Sequence, residues 1–305
     1  MIVAIGTSSF GQADPQVLEM LEAAGIRIRP NPYGRRLTEE ETIAHLKGAD
    51  GLLAGLEPLN KRVLENCSLR ALARVGIGMT NVDTEAAAEL GIKISNTPDG
   101  PTRAVAEMTL TALLCLSRDI RTQDQALHRG EWSKTIGRSI SGLTVLMVGF
   151  GRIGQAAAEL IASLGAKIVV YDPYVKSDEI HSNYQSCSME DGLRQADAVS
   201  LHASGDKCIM GPHAFSIMKQ GSILLNSARA ELVDESALIS ALDDGRLASA
   251  WFDVFWHEPY RGRLCEYSQV LLTPHACTYT RECRSLMETE AVENLLRDLG
   301  LKRRQ

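Results

Sequence analysis

Short runs rich in Val, Ile and Leu recur along the chain, separated by stretches of helical period with polar outer faces. Runs that stay apolar rather than alternating mark strands buried on both faces, the pattern of parallel sheets covered by helices. In the first part of the chain this predicts strands over Ile2–Gly6, Ile26–Arg29, Gly51–Ala54, Ala71–Val75 and Lys93–Ser95. The helices between them carry start signals. Asp14-Pro15 places an N-cap before a proline at the first helical position. Thr38-Glu-Glu-Glu41 has capping-box spacing, and Asn60 caps a helix running to Cys67.

The pattern breaks at Asn96-Thr-Pro98-Asp-Gly100-Pro101, where two prolines and a glycine interrupt periodic structure. A long helix is predicted from about Thr102 to about His128, followed by a polar loop, Gly130–Gly142, that carries Trp132. A second strand–helix series runs through Val145–Val148, Lys167–Tyr171, Ala198–His202, Ser222–Asn226, Ala250–Val254 and Val270–Thr273, before a charged helix over Thr280–Leu299. The alternation predicts an α/β protein with two doubly wound parallel sheets. The closing helix has no strand of its own. Residues 1–98 and 277–305 are therefore predicted to form one discontinuous domain, with residues 99–276 inserted as a second.

A length of 305 residues suits two domains. A net charge of −6 argues against a general nucleic-acid or anionic-membrane surface, so an anionic substrate needs a local cation. The seven cysteines include no CxxC pair, which points to free thiols in a reducing compartment and to no zinc site. With no signal segment and no apolar run of spanning length, a cytoplasmic location is expected.

Gly149-Phe-Gly-Arg-Ile-Gly154 follows one predicted strand and opens a helix. In that context Gly149 allows a tight turn, Gly151 lets backbone approach a pyrophosphate, and Gly154 lets helix and strand pack closely. The helix N-terminus offers unpaired N–H groups to the phosphates. Arg152 and Ile153 lie against the dinucleotide in this reading. Asp172 ends the next strand, where a carboxylate meets ribose hydroxyls and repels a 2′-phosphate, favouring NAD over NADP.

Three further segments end later strands in the same half of the chain. Asn226-Ser-Ala-Arg229 supplies a guanidinium that can grip a carboxylate with two prongs. Thr273-Pro-His275 supplies an imidazole suited to proton exchange. Asp253-Val-Phe-Trp-His-Glu258-Pro259 supplies Glu258, a candidate to fix the His275 tautomer, and Asp253, a candidate contact to the nicotinamide edge.

These segments resemble the D-isomer-specific 2-hydroxyacid dehydrogenase family, and within it the short 3-phosphoglycerate dehydrogenase-like branch. Arg74-Val-Gly-Ile-Gly-Met-Thr-Asn-Val-Asp83 is similar to the family's substrate loop, and Asn96-Thr-Pro with Ala104-Val-Ala-Glu107 to the entry into its cofactor domain. The resemblance implies two Rossmann-like domains that close on substrate, NAD(H) as cofactor, and a homodimer formed through the helix near 102–128. It implies Arg229, Glu258 and His275 as catalytic residues. Cofactor contacts are implied at Gly149, Gly151, Arg152, Ile153, Gly154, Asp172, His202, Ser227, Ala228, Arg229, Asp253 and His275, and substrate contacts at Val75, Gly76, Ile77, Gly78 and Arg229. The implied substrate is a small anionic 2-hydroxyacid or 2-oxoacid such as 3-phosphoglycerate, hydroxypyruvate or glyoxylate, or phosphite. A scaffold that senses NADH is the alternative from another class.

Departures from the family pattern carry their own expectations. Ala230 replaces a usual glycine, which predicts a reshaped turn after Arg229. The 203–210 loop is trimmed at the cofactor rim. Trp251 and Trp256 add bulk beside Asp253 that could reshape the pocket. Ala54-Gly55 offers no charge at the usual phosphate contact, leaving Arg74 and Arg103 as candidate phosphate ligands. The chain stops at Gln305, so feedback through a further C-terminal domain is not expected.

Overall fold

Each apolar run of the first hundred residues becomes one strand of a parallel sheet. In chain order the elements are β1 (Ile2–Ile5), α1 (Gln16–Ala23), β2 (Arg27–Arg29), α2 (Glu39–Leu46), β3 (Gly51–Ala54), α3 (Lys61–Glu65), β4 (Ala71–Arg74), α4 (Thr84–Glu89) and β5 (Lys93–Asn96). The start signals work locally. Thr38 and Glu41 form the reciprocal capping box of α2, and the Asn60 side chain accepts the Val63 N–H at the start of α3. The sheet order is β2-β1-β3-β4-β5, all parallel. The computed structural model describes residues 1–301 of the chain. It divides into two units, Met1–Pro101 with the segment from Thr278, and Thr102–Cys277. Residues 302–305 of the predicted 277–305 segment lie outside the described residues. In the first unit the last helix of the chain packs on β3, β4, β5 and α1.

The second unit contains α5 (Pro101–Ser117, the unit boundary falling after its first residue), α6 (Ile120–His128), β6 (Thr144–Val148), α7 (Arg152–Ser163), β7 (Lys167–Tyr171) and β8 (Gln185–Ser186). It continues with α8 (Met189–Gln195), β9 (Ala198–Leu201), α9 (Pro212–Ile217), β10 (Ser222–Asn226), α10 (Glu235–Asp243), β11 (Leu247–Phe252) and β12 (Val270–Leu272). The helix that packs on the first unit is α11 (Arg281–Asp298). The sheet order is β12-β11-β10-β9-β6-β7-β8, again parallel. Its strands are buried on both faces: Leu146, Val148, Val199, Leu224 and Phe252 pack in one cluster, and Val145, Met147, Ile223, Leu225 and Trp251 in the other. That alternation explains why the strands read as unbroken apolar runs.

Two expectations change here. The single helix predicted over 102–128 is two helices, α5 and α6. Asp119 breaks it by adopting a left-handed conformation (φ 51°), which a short polar side chain tolerates. The Ser117 carbonyl accepts the Arg138 N–H at 2.7 Å, so the 131–139 segment takes an acceptor that a continuing helix would use. Trp251 does not line a pocket. It is fully buried in the core, and its indole N–H donates to Thr273 Oγ1 at 2.9 Å. Trp256 packs on Phe252 and donates to the Val233 carbonyl.

Candidate active site and cofactor crevice

The second unit's sheet runs outward from β6 in both directions, toward β7 on one side and β9 on the other. Such a switch point leaves a crevice at the carboxyl ends of the strands. Gly149 forms its floor with φ 92°, and a Cβ there would lie 2.5 Å from the Ala203 N. Only glycine fits both constraints. Gly151 immediately precedes α7, and a Cβ built on it meets nothing within 4 Å, so backbone is open to close approach. A Cβ on Gly154 would overlap the Gly149 carbonyl oxygen, so the third glycine serves packing. The three glycines thus have the three structural uses a dinucleotide turn needs. Ile153 is half-buried against the core, and Arg152 is exposed on the first turn of α7.

Asp172 follows β7, and its carboxylate reaches back to the glycine turn. Oδ2 accepts the Phe150 N–H at 2.7 Å and Oδ1 accepts the Tyr174 N–H at 2.8 Å. The turn therefore orients this carboxylate before any ligand arrives. His202, across the crevice after β9, places Nε2 2.8 Å from Ser200 Oγ, and burial holds its imidazole down to about 4.

Strands β10, β11 and β12 lie side by side, and each is followed at its carboxyl end by one of the three candidate segments. After β10, the Asn226 side chain braces the turn twice. It accepts the Ala228 N–H at 3.0 Å and donates to the Arg229 carbonyl at 2.9 Å. Arg229 is extended and half-buried, with Nη1 on the Ala228 carbonyl. Ala230 does not disturb this turn: it is buried and begins a short 3-10 helix, a conformation open to alanine. Ser227 and Ala228 lie within the same braced segment.

His275 and Glu258 come together as expected. His275 Nδ1 lies 3.0 and 3.1 Å from the two Glu258 carboxylate oxygens, with both side chains partly exposed. An ionised carboxylate only accepts, so Nδ1 carries the proton and Nε2 is directed elsewhere. The Phe255 N–H steadies Glu258 at 3.3 Å.

Asp253 is anchored within its own unit. It is 1% exposed, and its two oxygens are already engaged in the 273–277 loop. Oδ1 accepts from Thr273 Oγ1 (2.5 Å) and the Ala276 N–H (2.8 Å), while Oδ2 accepts the Cys277 N–H (3.0 Å). Between these anchors His275 adopts a left-handed backbone, φ 53°. Such a residue costs about 1–3 kcal/mol and persists where its surroundings over-determine it. Asp253 supplies that determination. No sequence signal distinguishes this clasp from a ligand contact, because both need a carboxylate at the strand end.

In the first unit, the loop Val75–Gly78 follows β4. The Val75 N–H donates to the Ala54 carbonyl and the Gly76 N–H to Thr97 Oγ1, so two of the four expected backbone donors are engaged within the unit. Ile77 is exposed and its carbonyl accepts from Asn96 Nδ2. The two phosphate candidates change status. Arg74 is buried beneath this loop and donates to the Val75 carbonyl, and a Cβ on Gly76 would lie 2.6 Å from its Nη1. Arg103 is exposed and paired with Glu107 at 2.6 Å. Glu57, which shows no motif in the sequence, is buried in the segment after β3. Its signal was a lone carboxylate within the apolar stretch Gly51–Leu59.

Comparison with known proteins gives one consistent result. The family model described as D-isomer specific 2-hydroxyacid dehydrogenase, NAD binding domain, matches residues 110–277. The chain is 33% identical over 282 residues to a D-3-phosphoglycerate dehydrogenase of Pongo abelii, covering 89% of this chain and 52% of that protein. It thus spans about half the length of that relative. It is 35% identical over 257 residues to a glyoxylate reductase of Thermococcus litoralis, covering 79% of this chain and 77% of that protein. A solved structure from Thermus thermophilus superposes with a TM-score of 0.89 at 32% identity, covering 100% of this chain and 99% of that one.

Proposed function

The chain belongs to the D-isomer-specific 2-hydroxyacid dehydrogenase family, and from that membership we propose that it moves a hydride between NAD(H) and a small D-2-hydroxyacid/2-oxoacid pair. The His275–Glu258 pair carries this reading. With Nδ1–H held by Glu258, Nε2 of His275 takes the hydroxyl proton as the alcohol is oxidised, and returns it to the carbonyl oxygen in reduction. Glu258 fixes the tautomer and stabilises the imidazolium. Arg229 pairs with the substrate carboxylate and polarises the neighbouring carbonyl. Bound NAD supplies the hydride acceptor, or NADH the donor. The open backbone at Gly151, the N-terminus of α7 and the ribose-directed Asp172 fit that cofactor. Arg152, Ile153, His202, Ser227 and Ala228 belong to the same cofactor reading, and Val75, Gly76, Ile77 and Gly78 to the substrate reading.

No helix among the described residues is long and apolar enough to cross a membrane. The free cysteines favour a cytoplasmic location in this proposal. A homodimer is favoured by apolar side chains left exposed on α6 and the following segment: Ile120, Leu127, Trp132 and Ile136. NADH oxidation by the full chain, followed by absorbance with a panel of 2-oxoacids that includes glyoxylate and hydroxypyruvate, tests the activity. Turnover of at least one of them is expected. NADH binding without turnover of any would favour the sensing scaffold.

A further inference from the structure

The carboxyl edge of the first unit's sheet holds a buried carboxylate that has no part in hydride transfer. In the order β2-β1-β3-β4-β5 the chain reverses its travel across the sheet between β1 and β3, where open α/β sheets leave a ligand crevice. Gly6 follows β1 there and Gly55 follows β3. The Glu57 side chain lies between them. A Cβ on Gly6 would overlap its carboxylate, and one on Gly55 would come within 2.9 Å of Oε2. The Gly55 N–H donates to both carboxylate oxygens at 3.0 Å. Asn81, at the far end of the substrate loop, donates to the Gly55 and Glu57 carbonyls and holds this turn in place.

Two glycines without side chains and a free-facing amide donor are features that receive a ligand's anionic group. Here Glu57 meets them from within the chain. It is 1% exposed; burial pushes its carboxyl upward, while backbone N–H groups, Arg74 and Arg36 act in the opposite direction. Whether or not it holds a proton, the side chain occupies the space.

We propose that Glu57 is a specificity-determining residue: it fills the notch between Gly6 and Gly55 and takes up the Gly55 amide, so that the first unit accepts a 2-oxoacid lacking a distal phosphate. This rests on the dehydrogenase reading above, and two measurements separate them. Titration calorimetry of 3-phosphoglycerate into the NADH-loaded full chain, where no hydride acceptor is present, reads the notch without turnover. Wild type is expected to give no saturable binding. Glu57→Gly, once circular dichroism shows it folded, is expected to bind saturably, and Glu57→Gln, which keeps the side-chain volume, to behave as wild type. In steady-state reduction, wild-type kcat/KM for hydroxypyruvate is expected to exceed that for 3-phosphohydroxypyruvate by at least about tenfold. Saturable 3-phosphoglycerate binding by wild type, or turnover that favours the phosphorylated substrate, overturns the proposal, and neither needs a variant to fold. A folded Glu57→Gly that still binds no 3-phosphoglycerate also overturns it. If no 2-oxoacid is turned over, the dehydrogenase reading fails while the calorimetry still decides the role of Glu57.

Discussion

The two sheets reach the same geometric situation at their switch points, and their residues resolve it differently. Between β6 and β9 the second unit places Gly149, Gly151 and Gly154, and the space over Gly151 is open to a ligand's pyrophosphate. Its acidic partner, Asp172, sits at the rim with its oxygens on the Phe150 and Tyr174 amides. Between β1 and β3 the first unit also places glycines, Gly6 and Gly55, yet Glu57 lies across them. Topology thus locates a crevice in both units, and one side chain decides whether backbone donors face a ligand or the protein's own carboxylate. Strand order is a statement about place; chemistry follows from what fills the place.

The largest expected effect lies in the second unit, at the strand ends beside the open crevice. His275→Ala is expected to lower kcat by roughly 10²–10⁴-fold, the usual range for loss of a general acid–base group, with NADH affinity retained. Asp253→Asn separates the clasp from a nicotinamide contact. One amide nitrogen cannot accept from Thr273 or from the Ala276 and Cys277 N–H groups, so the left-handed His275 loses an anchor. A fall in kcat with unchanged NADH affinity is expected from a clasp. A rise in the NADH Kd with kcat preserved would assign Asp253 to the cofactor instead.

Much of this was legible in the chain because parallel strands buried on both faces must be apolar throughout, and because the dinucleotide glycines answer local constraints. Gly149 needs a positive φ, and Gly154 needs space against the preceding turn. Arg229, Glu258 and His275, the proposed reacting groups, stood out as candidates because each lies a few residues beyond a strand of the second sheet. What escaped is non-local. The helix break at Asp119 goes with a backbone bond from the distant Arg138 N–H to the Ser117 carbonyl. β8 was missed because it is a two-residue, exposed edge strand. The notch filled by Glu57 needs β1 and β3 as neighbours, although some fifty residues separate them. Asp253 was visible as a strand-end carboxylate, but its partners become visible only once the 273–277 loop folds back on it.

A smaller effect is expected at the rim. In the proposed site Asp172 receives the ribose hydroxyls, and Tyr171–Tyr174 contains no cation to pair a 2′-phosphate. Wild type is expected to prefer NADH. Asp172→Ser combined with Pro173→Arg is expected to move the NADH/NADPH ratio of kcat/KM by about 1–3 kcal/mol toward NADPH, the scale of a charge-assisted hydrogen bond. Equal wild-type efficiency with both cofactors would remove Asp172 from this role.

The smallest effect is a difference in how the two crevices meet acid. Burial holds His202 at about 4, below the ordinary imidazole value near 6.5. The folded second unit therefore keeps His202 neutral where the unfolded chain protonates it. Its stabilising contribution is complete above about 6.5 and is lost as pH falls toward and through about 4. Glu57 has the opposite sign. Its carboxyl is raised by burial, so its contribution is complete below the ordinary carboxylate range and is lost as pH rises through its higher folded value. The three tryptophans, Trp132, Trp251 and Trp256, all belong to the second unit, so their fluorescence follows that unit's unfolding. Urea titrations at pH 7 and pH 4.5 should show the wild-type midpoint falling more than that of His202→Asn, which cannot take up the proton. Equal falls in the two proteins would show that His202 does not set the acid response of the cofactor crevice, and the contrast with Glu57 would then rest on packing alone.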